Sequence, residues 1–242
     1  MQWTDEAILL SVRRHGEAAA IIDVFSRAHG RHAGLVRGGA SRRWTPILQP
    51  GAGLSVTWKA RLEGHLGNFT VEPVRARTEI LGDRARLAGL STLTAMAATF
   101  LPEREAHPTL FGATEDLLDR IETAEDWPAY YILWEVMLLG ELGFALSLGV
   151  CALTGKREGL AFVSPRSGAA VTADAGADWV ERLLPLPPFL RPEATEAPIT
   201  GADIAAGLDL TAHFLRRWLC PALGRDTLPP ARDRLSRALL RA

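Results

Sequence analysis

The hydrophobic period of this chain changes once, near residue 80, and that change constrains the fold more than any other feature. Before it, short β-branched or aliphatic runs alternate with turn residues; after it, apolar residues recur at helical spacing. The runs Ala7–Arg13, Ala20–Phe25, Ala33–Arg37, Leu54–Leu62 and Phe69–Val74 read as five strands, broken at His15-Gly16-Glu17, His29-Gly30, Gln49-Pro50-Gly51 and Gly64–Asn68. The fourth run alternates strictly, with Leu54, Val56, Trp58, Ala60 and Leu62 on one face and Ser55, Thr57, Lys59 and Arg61 on the other. Such a set is too small for an immunoglobulin-like sandwich and suits a five-stranded closed barrel of the OB type, in which one face binds single strands or sugars.

Beyond Gly82, Leu87, Leu90, Thr94, Ala97 and Leu101 form a stripe ended by Pro102. Leu110, Thr114, Leu117 and Ile121 form another, whose polar side carries Glu115, Asp116, Asp119 and Glu122. Asp126 and Pro128 open a helix to about Leu142 that is apolar nearly all round, as expected of a helix through a domain centre. Thr200 and Asp203 match a capping box, opening a helix with Ile204, Leu208, Thr211, Leu215 and Trp218 on one face, stopped at Cys220-Pro221. Pro229-Pro230 starts a last helix with Arg234, Arg237 and Arg241 on one face. The expected fold class is therefore α+β in two domains. Residues 1–80 form an OB-fold nucleic-acid-binding domain, and residues 81–242 a mostly helical one with a glycine-rich, partly extended insertion at about 149–178.

Charge divides along the same line, with +4 on residues 1–80 and −5 on the remainder. A basic module joined to an acidic one predicts different partners for each. The basic residues concentrate in Gly30–Trp44, which holds four arginines, four glycines and no acid. Gly38 and Gly39 let the chain turn sharply, and Ser41, Arg42, Arg43 and Trp44 add a hydroxyl, two planar cations and a stacking ring. Guanidinium forks bind phosphate and lie on base faces, so the pattern suits a nucleic-acid strand. The candidate contacts are Arg37, Arg42 and Arg43 first, then Arg31, Lys59 and Arg61, with Trp44 stacking; Trp58 alternates with apolar neighbours and belongs to the core. Two readings of the loop stand at this point: a surface that grips phosphates, or a solvated hairpin.

No catalytic constellation is present. Gly149–Lys156 has the wrong glycine spacing for a phosphate loop, and Arg157 stands where a Ser or Thr is required. No histidine lies at metal-ligand spacing from another His or a Cys; His29 and His32 read as phosphate helpers or exposed turn residues. With no export signal and no apolar run long enough to span a bilayer, the expected address is the cytoplasm, with Cys151 and Cys220 reduced.

The segments EAILLSVRRHGEAAAIIDVFSRAHGRHAGLVRGGASRR and LQPGAGLSVTWKARLEGHLGNFTVEP resemble the amino-terminal barrel of the RecO family of bacterial recombination mediators. Gly16-Glu17, Phe25-Ser26-Arg27, Gly30, Arg37-Gly38 and Gln49-Pro50-Gly51 carry the resemblance, and ELGFALSLGVCALTG with FVSPRSGAAV resembles the family's mid-domain insertion. The resemblance implies a non-enzymatic, nucleoid-associated protein. It would bind single- and double-stranded DNA, anneal complementary strands, contact the single-strand-binding protein and RecR, and indirectly assist loading of RecA, with no membrane and no small-molecule substrate. The single-strand-binding protein's acidic tail would need a basic, apolar groove on the helical domain, for which Arg216, Arg217, Arg234, Arg237 and Arg241 are available. Many relatives hold zinc in the insertion with two CxxC pairs. Here Thr154 stands where the partner of Cys151 would lie and Ala169, Ala170 and Val171 fill the second pair, so the zinc finger is degenerate and no metal or other cofactor is expected. Leu153, Leu160, Phe162 and Val163 are expected to hold the turn instead. The rival from another class is a protein-interaction scaffold that kept the barrel and lost DNA affinity.

Overall fold

In the computed structural model, which describes residues 1–62, 64–192 and 197–240, the N-terminal strands close into a barrel of order β1-β2-β3-β5-β4. They are β1 (Gln2–His15), β2 (Ala19–Ser26), β3 (Gly30–Val36), β4 (Gly53–Lys59) and β5 (Asn68–Arg75). All pairings are antiparallel except β3 with β5, which meet in parallel at Leu35 and Asn68. Alternation sends Ala7, Leu9, Ile22, Val24, Leu54, Val56, Trp58, Phe69 and Val71 inward to one core. The long β1 pairs with β4 through its first half and with β2 through its second. A bulge between Leu9 and Ser11 makes the turn from one sheet edge to the other.

Two strand boundaries differ from expectation. β1 starts five residues before Ala7, because Gln2, Thr4 and Glu6 face water while Trp3 shares the other face with the polar Asp5, a weak hydrophobic signal. β4 ends at Lys59; Leu62 continues the alternation in sequence only and is 62% exposed.

The outer surface of β1 and β2 is also closed. Ile8 and Phe25 point away from the barrel interior yet are fully buried. Helix α1 (Arg84–Phe100) packs across these strands, and Phe111 of α2 (Pro108–Thr123) meets Phe25 edge-on at 5.3 Å. Asp83 caps α1 by accepting from the Ala85 and Arg86 amides at 2.7 and 2.9 Å. The stripe read for α2 is buried throughout, whereas α1 is buried more widely than a single stripe: Leu93, Met96 and Phe100 join Leu90 and Ala97, while Leu87 is exposed. Met1–Ala124 with Pro229–Leu235 make one compact unit.

Two glycines fix how this unit closes. Gly51, at φ +85°, donates to the Leu9 carbonyl at 2.7 Å and accepts from the buried Arg77 at 3.1 Å, and a Cβ there would strike the Leu90 side chain of α1. Gly30, at φ +67°, lies against the backbone of Glu105 in the segment between α1 and α2, and a Cβ there would overlap the Glu105 carbonyl. The Arg104 amide also donates to the Arg31 carbonyl at 2.8 Å, so this segment runs along β3.

The second unit comprises Glu125–Leu228 with Ser236–Ala242. Its central helix α3 (Trp127–Glu141) buries Trp127, Tyr131, Ile132, Trp134, Leu138 and Leu139, and packs on α5 (Gly201–Phe214). The one acid in the middle of α3, Glu135, is fully buried and accepts from the Tyr131 and Thr211 hydroxyls at 2.6 and 2.5 Å. The insertion forms a small sheet of β6 (Leu160–Val163), β7 (Ala170–Thr172) and β8 (Leu184–Pro185), with the short α4 (Ala173–Gly176) following β7. The Thr200–Asp203 capping box is made in both directions. The helix it opens does not stop at Cys220-Pro221: a wide turn over Leu215–Leu219 carries it into α6 (Cys220–Ala222). A locally widened turn relieves the demand that a proline amide would leave unmet in the regular ladder. The last helix, α7 (Pro230–Leu239), starts at the expected prolines, and Arg241 lies outside the described residues.

The knuckle around Cys151 is held by hydrogen bonds more than by the expected apolar side chains. Leu160 and Val163 are buried, but Leu153 is 68% exposed. The Cys151 amide donates to the Lys156 carbonyl at 2.7 Å, Gly155 N–H to the Cys151 carbonyl at 2.9 Å, and Thr172 N–H to the buried Cys151 Sγ at 3.4 Å. The thiol thus uses a backbone amide and the Thr172 hydroxyl where a metal would need further ligands, and among the described residues no group of three or more His, Cys, Asp and Glu gathers anywhere. These residues do not fit zinc.

Three outcomes are expected. Gly30→Ala lowers unfolding free energy in urea titration by about 2 kcal/mol or more, because strained φ and a backbone overlap combine. Gly16→Ala, at φ +62° but with open space around it, costs only about 1–2 kcal/mol. Elemental analysis of purified protein finds no stoichiometric zinc.

Candidate nucleic-acid interface

The cations of the barrel fall into two classes. Four arginines are bound to acids of their own compact unit. Arg27 pairs with Glu6 at 3.0 Å and Glu115 at 2.8 Å, and Arg75 with Asp119 at 2.7 Å and Glu122 at 2.9 Å. Arg77, its side chain only 6% exposed, reaches Asp119 and Glu122, and Arg31 pairs with Glu103 at 3.1 Å and Asp23 at 3.7 Å. The acidic side of α2 therefore faces the barrel's arginines. Part of the charge asymmetry read as two modules with different partners is an internal ion-pair seam.

The other class faces water. Arg37, Lys59 and Arg61 converge on one hollow of about 640 Å³, with the uncharged Gln2, Thr57, Asn68 and Thr70 around it. Arg42 and Arg43 are exposed on the β3–β4 connection, outside this hollow, where successive turns from Gly38 to Leu48 are closed by amide bonds such as Ser41 N–H to Gly38 and Leu48 N–H to Trp44. Among the described residues, none of these five cations makes an ion pair with an acid. Arg14 was not singled out in sequence, yet it donates to the Ala40 carbonyl at 3.5 Å, and Ala40 N–H bonds the Ala18 carbonyl, so the β1–β2 turn sits beside the Arg42-Arg43 loop. The antiparallel pairing of β2 with β3, which sets Ala20 opposite Val36, brings these two loops together. The uncharged rim residues were legible in principle as the outward positions of alternating strands.

Arg31 stands apart from the other candidates. Besides its acids it donates to the Ala98 carbonyl of α1, and its side chain is 16% exposed. Trp44 is half-buried against the barrel core, and Trp58 is a core residue whose indole N–H bonds the Leu66 carbonyl at 3.1 Å. The two histidines differ from both expectations: His29 stacks on Trp3 at 4.1 Å with Nδ1 3.1 Å from Asp5, and His32 is buried between Trp3 and Trp58. Burial lowers the His32 pKa. Trp3, an inward residue of the unrecognised half of β1, is the slab that draws both rings in.

The usual OB ligand surface is the outer face of the second and third strands with the loops beside it. In this protein that face carries Phe25 under Phe111 and Arg31 under the α1–α2 segment, so much of it is occupied. The water-facing cations lie instead towards β4, β5 and the end of β3.

Burial of Asp23 beside Arg31 pushes its carboxyl up to about 6, against the attraction of Arg31 and aided by Glu103. A folded pKa above the unfolded one means the native state holds the proton more tightly, so this group's contribution to stability falls as pH rises from about 4 to about 6. Asp23→Asn is expected to remove that slope. In thermal unfolding the variant gains on the parent across this range, by on the order of 2 kcal/mol at pH 7.

Models of two families match the chain: Recombination protein O N terminal over residues 1–77 and Recombination protein O C terminal over residues 81–225. A protein of Cereibacter sphaeroides named DNA repair protein RecO is 54% identical over 242 residues, covering all of both chains. The RecO proteins of Roseobacter denitrificans and Dinoroseobacter shibae are 54% and 48% identical, covering 97% and 100% of this chain and 96% and 99% of their own. Among the described residues no helix is long and apolar enough to cross a membrane. With a barrel and helical region matched in order and relatives aligned end to end, the chain belongs to the RecO family of DNA repair proteins.

Proposed function

We propose that this protein is a DNA-binding recombination mediator in gap repair and homologous recombination, acting without catalysis in the bacterial cytoplasm on nucleoid DNA. It binds single- and double-stranded DNA through residues 1–80, anneals complementary strands, and through residues 81–242 engages the single-strand-binding protein and RecR, so assisting RecA loading. The observation that carries this reading is the sorting of the barrel's cations: Arg37, Arg42, Arg43, Lys59 and Arg61 keep their charge available to phosphate, while four other arginines are neutralised internally. Such contacts supply a sequence-independent, salt-sensitive affinity. Arg31 positions the α1–α2 segment, and Trp44 stiffens the basic loop. For the partner's acidic tail, Arg216, Arg217 and His213 with Leu184 and Ala212 border a hollow of about 480 Å³ in the second unit, net basic despite Asp209 on its wall and partly apolar as such a peptide requires.

Arg42→Ala/Arg43→Ala should weaken binding to oligothymidylate in fluorescence anisotropy. It should also flatten the dependence of log affinity on log salt by up to about 1.4, at roughly 0.7 per phosphate on single strands. Unchanged affinity removes this loop from the interface, and absence of binding by the parent protein at low salt leaves the scaffold reading in its place.

A further inference from the structure

Strand register arranges the outer face of β1, β4 and β5 in three rows. The first is Gln2–Lys59–Asn68, the second Thr4–Thr57–Thr70, and the third Glu6–Ser55–Glu72. Their side chains alternate with the core residues and face outward, Thr4 and Thr57 sharing a hydroxyl hydrogen bond at 2.9 Å. Charge along this face is graded: the first row adjoins Arg37 and Arg61 in the hollow, the second is neutral, and the third carries Glu72 and Glu6, the latter paired with Arg27. Neither helix α1 nor α2 covers it, since they lie on the β1–β2 side where Ile8 and Phe25 are buried.

We propose that this face is a track for one nucleic-acid strand, entered at the cationic row, continued over the threonine row and closed by the acidic row. The proposal rests on the DNA-binding reading and says where on the barrel the strand runs. Three strands present a width of only about 10 Å, which suits a single nucleic-acid strand running along them from row to row. Lys59, Arg61 and Arg37 supply charge to phosphate, while the amides of Gln2 and Asn68 and the hydroxyls of Thr57 and Thr70 donate neutral hydrogen bonds to phosphate or sugar oxygens. Among the described residues the one aromatic lining the hollow, Phe69, is buried in the barrel core, so these rows offer no ring for stacking and the track reads backbone rather than base. Glu72 is exposed, and among the described residues it makes no ion pair; on the third row it repels the phosphate that would come next, setting a footprint at the short end of the ~4–16 nucleotides that OB folds cover. A duplex, or a strand held only by the Arg42-Arg43 loop, would leave the second and third rows untouched.

Oligothymidylate binding across a salt series tests this with five variants of the full chain. Glu72→Lys is expected to tighten binding several-fold and steepen the salt slope by about 0.7, whereas Glu158→Lys, the same charge change on the exposed insertion of the other unit, leaves both near the parent values. Lys59→Ala/Arg61→Ala should weaken binding and flatten the slope by up to about 1.4, and Thr57→Val/Thr70→Val should weaken binding with the slope unchanged, as loss of neutral hydrogen bonds requires. If the parent binds, Arg42→Ala/Arg43→Ala weakens it, Glu72→Lys matches Glu158→Lys and Lys59→Ala/Arg61→Ala matches the parent, the track is wrong while the DNA-binding reading stands. A parent protein that fails to bind overturns both.

Discussion

The first compact unit depends on one buried cation. Arg77 emerges just after β5, and its guanidinium, removed from water, must be satisfied by fixed partners or cost several kcal/mol. Its partners come from two directions: the Gly51 carbonyl from the barrel, and Asp119 with Glu122 from α2. Satisfying that charge therefore sets where α2 lies on the barrel. Arg75 and Arg27 extend the same seam at the surface, where each pair contributes about 0–1 kcal/mol and matters more for register than for stability. Arg86 adds a second tie by donating to the Ile121 and Ala124 carbonyls at the end of α2.

Once α2 and the segment before it are placed, the barrel's surface is divided. The β1–β2 side becomes interior, and much of the β2–β3 face that OB folds commonly offer to ligands is taken up by Phe111 and by the chain around Glu103. What remains open is the outer face of β4 and β5 and the loops after β1 and β3, where Arg37, Arg42, Arg43, Lys59 and Arg61 meet no acid among the described residues. The same physical event, neutralisation of one set of arginines by a helix, leaves the other set as the source of positive field. In the second unit the knuckle at Cys151 follows a comparable economy: backbone amides and the Thr172 hydroxyl surround the sulfur, so the turn keeps its shape without the ligand set a tetrahedral ion would demand.

Alternation of side chains gave all five strands, the inward placement of Trp58 and the outward placement of Lys59, because a half-buried strand writes its two faces directly into sequence. Helical spacing did the same for α2, and the capping box for α5. Where the signal was weak, the reading fell short. The first five residues of β1 carry one inward aromatic among polar neighbours, so alternation does not announce them, nor Trp3 as the slab on which His29 stacks and beside which His32 is buried. The helix past Cys220 was cut short because a proline is a reliable stop only where the preceding turn is regular.

Residue type and local period were enough to specify the five strands of a closed β architecture, a helical body, the family and the inventory of cations. They could not tell a free arginine from a paired one. Arg31 and Arg37 stand six residues apart near the two ends of one strand and look alike in a list of charges, yet one is held by Glu103, Asp23 and the Ala98 carbonyl while the other opens onto a hollow shared with Lys59 and Arg61. That difference was decided by tertiary structure, because the field of a charge depends on which acids the fold carries to it across long stretches of chain.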